Sequence, residues 1–182
     1  MKRFFFVLFL LAAAAPARAA DDPLGAAANA AFLADDARKP GTVVQPSGLH
    51  YRVLRRGFGG RAGPNDVVRI NYSVRLIDGR LVDGSTPSLP PALAISTLSL
   101  RGLSEALQLM HVGDHWQVVV PANLAFGVKG SANGAIPPGQ TLIFDLTLLE
   151  AAAPRPGEAP PENPFSVWSN GRENGAAFTF RP

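Results

Sequence analysis

From Val68 to Leu76 every second residue is apolar. Val68, Ile70, Tyr72, Val74 and Leu76 alternate with Arg69, Asn71, Ser73 and Arg75. Successive side chains of a strand point to opposite faces, so this stretch has one wet face and one dry face. Asp78-Gly79 follows at once, a tight hairpin signal because glycine accepts a positive φ. The chain therefore returns over Arg80 to Asp83 as an antiparallel partner. A sheet with one dry face needs an apolar cover. The best candidate is Arg101 to Met110, where Leu103, Leu107 and Met110 fall at i, i+4 and i+7 and Gly113 lies just past the end.

Other strands fit the same plan. Leu49, Tyr51 and Val53 alternate with polar residues, and Leu93 and Ile95 suggest a brief strand. Trp116, Val118 and Val120 alternate up to Pro121, and Leu142, Phe144, Leu146 and Leu148 share one face of Thr141 to Leu149. Strands, one short helix and then two more strands indicate an α+β fold with an antiparallel sheet. Four segments are expected: a leader over 1–19, an N-terminal segment over 20–46, a folded domain over 47–150 and a Pro-rich tail over 151–182. Within 20–46, Ala26 to Ala37 suits a short helix with Leu24, Ala28 and Phe32 roughly on one face; a loosely attached leader segment and a dimerisation helix are both open. The stretch is short for a long dimer arm, which favours a monomer. Ala151 to Pro164 has the composition of a disordered segment. Phe165, Trp168, Phe178 and Phe180 interrupt the tail and suit either packing on the domain or binding.

The first residues carry an export signal. Lys2 and Arg3 precede an apolar run from Phe4 to Ala15, and Ala17 and Ala19 occupy small-residue positions of a cleavage site. A cut after Ala19 is expected, and with it a periplasmic or secreted protein. The run is shorter than the roughly 20 residues that span a bilayer. Removing Lys2, Arg3 and Arg18 from the 17 basic residues balances them against the 14 acidic ones. The mature chain is thus neutral, which argues against nucleic acid as a partner. With no cysteine, disulfides, thiol catalysis and Cys-based zinc sites are excluded.

Common catalytic patterns are missing: no GxSxG, P-loop or HExxH occurs. His111 and His115 are four apart, but Gly113 between them marks a helix end, so no metal site is expected and no cofactor is implied. Asp78 and Asp83 suit a turn and a strand end better than an acid–base pair, and Arg55-Arg56 suits a solvated surface.

Six pieces in order carry a resemblance. Ser47 to Leu54 (SGLHYRVL) resembles the opening strand of exported bacterial FK506-binding-type isomerases. Val68 to Asp83 (VRINYSVRLIDGRLVD) is similar to that family's hairpin. Gly102 to Leu107 with Met110 and Gly113 is similar to its helix. Pro121 to Gly127 (PANLAFG), Ile136-Pro137-Pro138 and Thr141 to Asp145 (TLIFD) resemble its later motifs. The chain is identified as a member of the peptidyl-prolyl cis-trans isomerases of FK506-binding type over about 39–150. The resemblance implies a bent antiparallel sheet wrapped around one short helix, with an apolar pocket between them.

It also implies a site. Tyr72, Asp83, Ile136 and Phe144 would be the catalytic set, with Val82, Leu100, Leu103 and Phe126 contacting substrate and the Leu100 N–H donating to a peptide carbonyl. Tyr72 and Phe144 lie on apolar strand faces by pattern alone, where ordinary core packing explains them equally well. Four aromatic features of the family are altered. Val82 stands for a Phe, Leu103 for the floor Trp and Phe126 for a Tyr, and Ala92–Leu93 offers no counterpart of a further pocket Phe. Expected partners are proline-containing unfolded or partly folded polypeptides and, as inhibitors, macrolides. Two readings stay open: an active isomerase, or a weakly active or inactive binding module or chaperone of the same fold. A structural envelope domain using the aromatic tail is a third.

Overall fold

The alternating segment forms the strand on which the molecule is organised. In the computed structural model, which describes residues 22–166 and 168, seven strands make one antiparallel sheet. They are β1 (Thr42–Val44), β2 (His50–Arg55), β3 (Val67–Arg75), β4 (Leu81–Gly84), β5 (Ala92–Ala94), β6 (His115–Val120) and β7 (Leu142–Ala152). The order is β1-β2-β6-β7-β3-β4, and β5 also pairs with β3. The leader and its cleavage position lie outside the described residues, as do Phe178 and Phe180.

Register puts the apolar residues on one face. Val74 lies opposite Phe144 and Tyr72 opposite Leu146; Val118 and Trp116 meet the same two residues from β6. This face is covered by α2 (Arg101–Leu109), whose Leu103 and Leu107 are fully buried, with Met110 just beyond it. The helix sits close because Gly102 has no side chain. A Cβ there would come within 2.4 Å of Val120 Cγ1 and 3.2 Å of Leu124 Cβ. Such interiors are packed as densely as organic crystals, so the missing methyl sets the helix–sheet distance.

β3 is also where the sheet divides. β4 pairs with its Ser73–Arg75 end and β5 with its Val67–Arg69 end. Ser85 bridges the gap between them. Its Oγ accepts the Tyr72 N–H at 2.9 Å, and its own N–H donates to the Tyr72 carbonyl at 2.9 Å. The Ser- and Pro-rich loop after the hairpin thereby satisfies backbone groups that no strand reaches.

Three elements differ from the sequence expectation. Ile95 opens a 3-10 turn instead of extending β5. β7 continues to Ala152, past the expected end, because Ala151 and Ala152 still pair with Val68 and Val67. The stretch over 42–44, not expected as a strand, pairs with β2.

The N-terminal helix α1 (Ala26–Ala37) is held by polar residues, not by an apolar face. Asn29 and Asp36 are its buried positions. Asn29 Oδ1 accepts the Thr141 N–H at 2.8 Å, and its Nδ2 donates to the Leu24 and Gly25 carbonyls. Asp36 Oδ2 lies 3.2 Å from His50 Nδ1, and Lys39 Nζ reaches Asp36 Oδ1 at 3.1 Å. Gln140 Nε2 donates to the Leu24 carbonyl at 2.8 Å. These bonds tie α1 to the segment entering β7 and, through His50, to β2. Apolar periodicity does not register such an anchor.

Candidate functional site

The hairpin β3–β4 brings Tyr72 and Asp83 together. Val74 is opposite Asp83 in register, which leaves the longer Tyr72 side chain one pleat away on the same face. Tyr72 Oη donates to Asp83 Oδ2 at 2.8 Å. Asp83 Oδ1 accepts the Gly84 N–H at 2.8 Å, which fixes the carboxylate plane. Burial pushes the Tyr72 phenol well above its ordinary value, and the Asp83 charge and hydrogen bond push it further. Tyr72 is therefore a fixed neutral donor through the whole physiological range.

Phe144 lies across from Val74 near the start of β7 and is fully buried. Leu100 and Leu103, at the start of α2, are also buried in the same cluster. Val82 and Phe126 pack against that cluster and stay partly exposed. Ile136 comes from the long loop before β7. Its N–H donates to Ser131 Oγ at 2.8 Å, and its carbonyl accepts the Ser131 N–H at 2.9 Å. Gly130 (φ 73°) makes this tight loop feasible, since a Cβ there would lie 2.5 Å from the Ile136 carbonyl oxygen.

The structure brings seven of the eight expected residues into or against one cluster, and Asp83 joins it through the Tyr72 hydroxyl. It adds two that sequence reasoning did not place in the site. Phe165 is fully buried, with its ring centroid 5.1 Å from Tyr72 and 6.4 Å from Phe144, both edge-on. Trp168 lies 5.2 Å from Phe165 and stands edge-on to Phe126 at 5.6 Å. The signal was visible as aromatic residues in an otherwise Pro-rich tail, but no local pattern says where such residues dock. Ser85 and Ser131, which hold Tyr72 and Ile136 by backbone bonds, also went unnoticed.

The histidines are apart in function. His115 Nε2 is 2.8 Å from Asp145 Oδ1, while His111 Nδ1 faces Asp114 at 3.8 Å. Among the described residues no cluster of three or more His, Cys, Asp or Glu is placed to hold a metal. No helix there is long and apolar enough to cross a membrane. The site is an apolar cluster with one polar pair at its side, the Tyr72 hydroxyl being committed to Asp83.

Comparison with known proteins identifies the family and the fold. Residues 59–149 match the model of the FKBP-type peptidyl-prolyl cis-trans isomerases. The chain is 43% identical over 119 residues to the "Outer membrane protein MIP" of Legionella longbeachae, which covers 65% of this chain and 51% of that protein. It is 39% identical over 125 residues to the FKBP-type 22 kDa peptidyl-prolyl cis-trans isomerase of Escherichia coli K12, covering 69% and 60%. The chain thus spans about half to three-fifths of the length of these relatives. A peptidyl-prolyl cis-trans isomerase from Pseudomonas syringae superposes with a TM-score of 0.65 at 30% identity, covering 69% of this chain and 92% of that one. FkpA from Escherichia coli gives 0.65 at 32% identity, covering 70% and 61%. By sequence and by fold, this chain belongs to the FKBP-type peptidyl-prolyl cis-trans isomerase family.

Proposed function

We propose that the chain accelerates rotation about Xaa-Pro bonds in unfolded or partly folded polypeptides outside the cytoplasm. Rotation of a peptide bond crosses a barrier of about 18–20 kcal/mol because amide resonance must break. The cis and trans states of an Xaa-Pro bond differ by only about 0.5–1 kcal/mol. Catalysis therefore needs no nucleophile, only tighter binding of the twisted amide than of the planar one. A twisted amide carries less charge on its oxygen, so a dry apolar wall favours it. Ile136, Phe144, Leu100 and Leu103 would form that wall, with Val82 and Phe126 at its rim. Tyr72 and Asp83 would position and polarise the substrate, and the Leu100 N–H would receive a peptide carbonyl.

The observation that carries this reading is the Tyr72–Asp83 hydrogen bond set against a buried apolar cluster. The test is the cis-to-trans relaxation of a proline tetrapeptide with the wild-type chain, Tyr72→Phe and Asp83→Ala. Acceleration by wild type and its loss in Asp83→Ala is the expected result; no acceleration by any of the three overturns the enzyme reading. A second reading, a weakly active binding module or chaperone, is favoured by Val82, Leu103 and Phe126 where the family resemblance implies larger or more polar rings. It predicts binding of proline peptides and macrolides without acceleration.

The leader supports export, followed by a division into 20–46, 47–150 and a tail over 151–182. N-terminal sequencing of the exported protein tests this, with Ala20 as the expected first residue.

A further inference from the structure

We infer that the segment 163–166, together with Trp168, is an internal ligand of the isomerase pocket and competes with substrate for it. The inference rests on the pocket assigned above. With this segment docked, Phe144 and Leu103 are fully buried and Ile136 and Leu100 are 1% exposed. A prolyl ring has no free apolar wall to lie against. The surface such a ring would need is occupied by Phe165, whose ring meets both Tyr72 and Phe144.

The docked segment is a short turn with several attachments. Asn163 Oδ1 accepts the Phe165 N–H at 3.0 Å, the Asn163 carbonyl accepts the Ser166 N–H at 3.0 Å, and the Phe165 carbonyl accepts the Trp168 N–H at 3.2 Å. These bonds present Phe165 and Trp168 together. Asn163 Nδ2 donates to the Thr97 carbonyl at 3.3 Å on one side of the site. On the other side the Trp168 carbonyl accepts the Ala132 N–H at 2.7 Å, four residues before Ile136. The segment thus spans the site from the α2 side to the Ile136 loop. It behaves as a peptide bound across a groove, with a side chain inserted and main-chain bonds at its edge.

The connection to the sheet is of a different kind. Every residue from Ala152 to Pro160 is exposed. The ion pair of Arg155 with Glu158, at 3.6 Å, lies within the connection itself. The buried aromatic tip therefore carries the docking, and it detaches without breaking a strand pair. A tether of about nine residues reaches up to about 30 Å when extended, enough to clear the site. Pro164 is half-buried beside the inserted ring, and the ring in the pocket is that of Phe165. The segment occupies the site without presenting its own proline there.

The opposing possibility is that Phe165 is a permanent wall that replaces the aromatic mass missing at Val82 and Leu103. The two differ in sign. A competing ligand lowers activity, whereas a wall supports it. The experiment compares the full-length chain with Phe165→Ala and with Phe165→Ala/Trp168→Ala, reading kcat/KM and KM for a proline tetrapeptide and checking the fold by circular dichroism. Burial of a phenyl ring shifts a docking equilibrium by about 10- to 100-fold. We expect kcat/KM to rise about tenfold or more, mostly through a lower KM, and a peptide of residues 160–170 to inhibit the variant competitively.

An unchanged or lower kcat/KM in a folded variant overturns the inference and leaves the isomerase reading standing. If none of the proteins accelerates isomerisation, calorimetry with the same tetrapeptide decides. Tighter binding to Phe165→Ala keeps the internal ligand and sinks the isomerase reading; no binding to any of them sinks both. If the variants do not fold, the Trp168 indole proton resonance is followed in the wild type, assigned against Trp168→Phe. Its movement on saturation with tetrapeptide supports displacement. An unmoved resonance during turnover overturns it.

Discussion

Tyr72→Phe tests the polar half of the site with little change in shape. It removes one oxygen and leaves the ring against Phe165. The lost bond is the 2.8 Å donation to Asp83 Oδ2. Hydrogen bonds to charged groups contribute about 1.5–3 kcal/mol. Asp83 is partly exposed and keeps the Gly84 N–H, so water replaces part of the loss and the low end applies. A cost of about 1.5 kcal/mol lowers a urea midpoint by about 0.5–1 M at unchanged m. The same loss in positioning lowers kcat/KM about tenfold. The alkaline limb gives a second readout. Tyr72 is raised above its ordinary 10.0 in the folded state, chiefly by burial. The unfolded chain therefore releases this proton first as pH rises. The stabilising share is fully present below pH 10 and is lost above it, at roughly 1.4 kcal/mol per pH unit. Urea unfolding from pH 8 to pH 11 should show wild type losing stability faster than Tyr72→Phe. Parallel curves, with equal midpoints at pH 8, would refute the claim that this hydroxyl is buried and bonded.

Three further outcomes follow from the packing. Gly102→Ala places a methyl 2.4 Å from Val120 Cγ1 and should cost about 1–3 kcal/mol despite the better helix propensity of Ala, read as a lower Tm. Asn29→Ala leaves the buried Thr141 N–H without its acceptor. It should cost about 1–3 kcal/mol and speed amide hydrogen exchange at Thr141. Ser131→Ala removes the acceptor of the Ile136 N–H, and a rise in KM for the proline tetrapeptide larger than the fall in kcat is expected as the Ile136 loop loosens.

The sheet was legible because its signal is local. Alternation from Val68 to Leu76 dictates β3 and its dry face, and Asp78-Gly79 dictates the hairpin that sets Asp83 beside Tyr72. Gly79 indeed has a φ of 86°. The helix α2 was legible through its apolar stripe for the same reason. What escaped is what depends on distant partners. Asn29 and Asp36 look like surface residues of a polar helix, and only the Thr141 N–H and His50 on the other side make them interior. Phe165 and Trp168 stand in composition that forbids a core of its own, and their burial is provided by a pocket about 20 residues upstream at its nearest strand. The altered pocket positions Val82, Leu103 and Phe126 were readable one by one. That aromatic rings return to the region from the tail was not, because nothing in the spacing links position 165 to position 72.

The place of β7 has a consequence for how the molecule is made. The last strand among the described residues is an interior strand, paired with β6 on one side and β3 on the other. Until residues 142–152 are available, β1-β2-β6 and β3-β4-β5 are two separate half-sheets with their inner edges unpaired. Pairings of high sequence separation form late and slowly. The two half-sheets therefore close into one domain only when β7 is in place between β6 and β3.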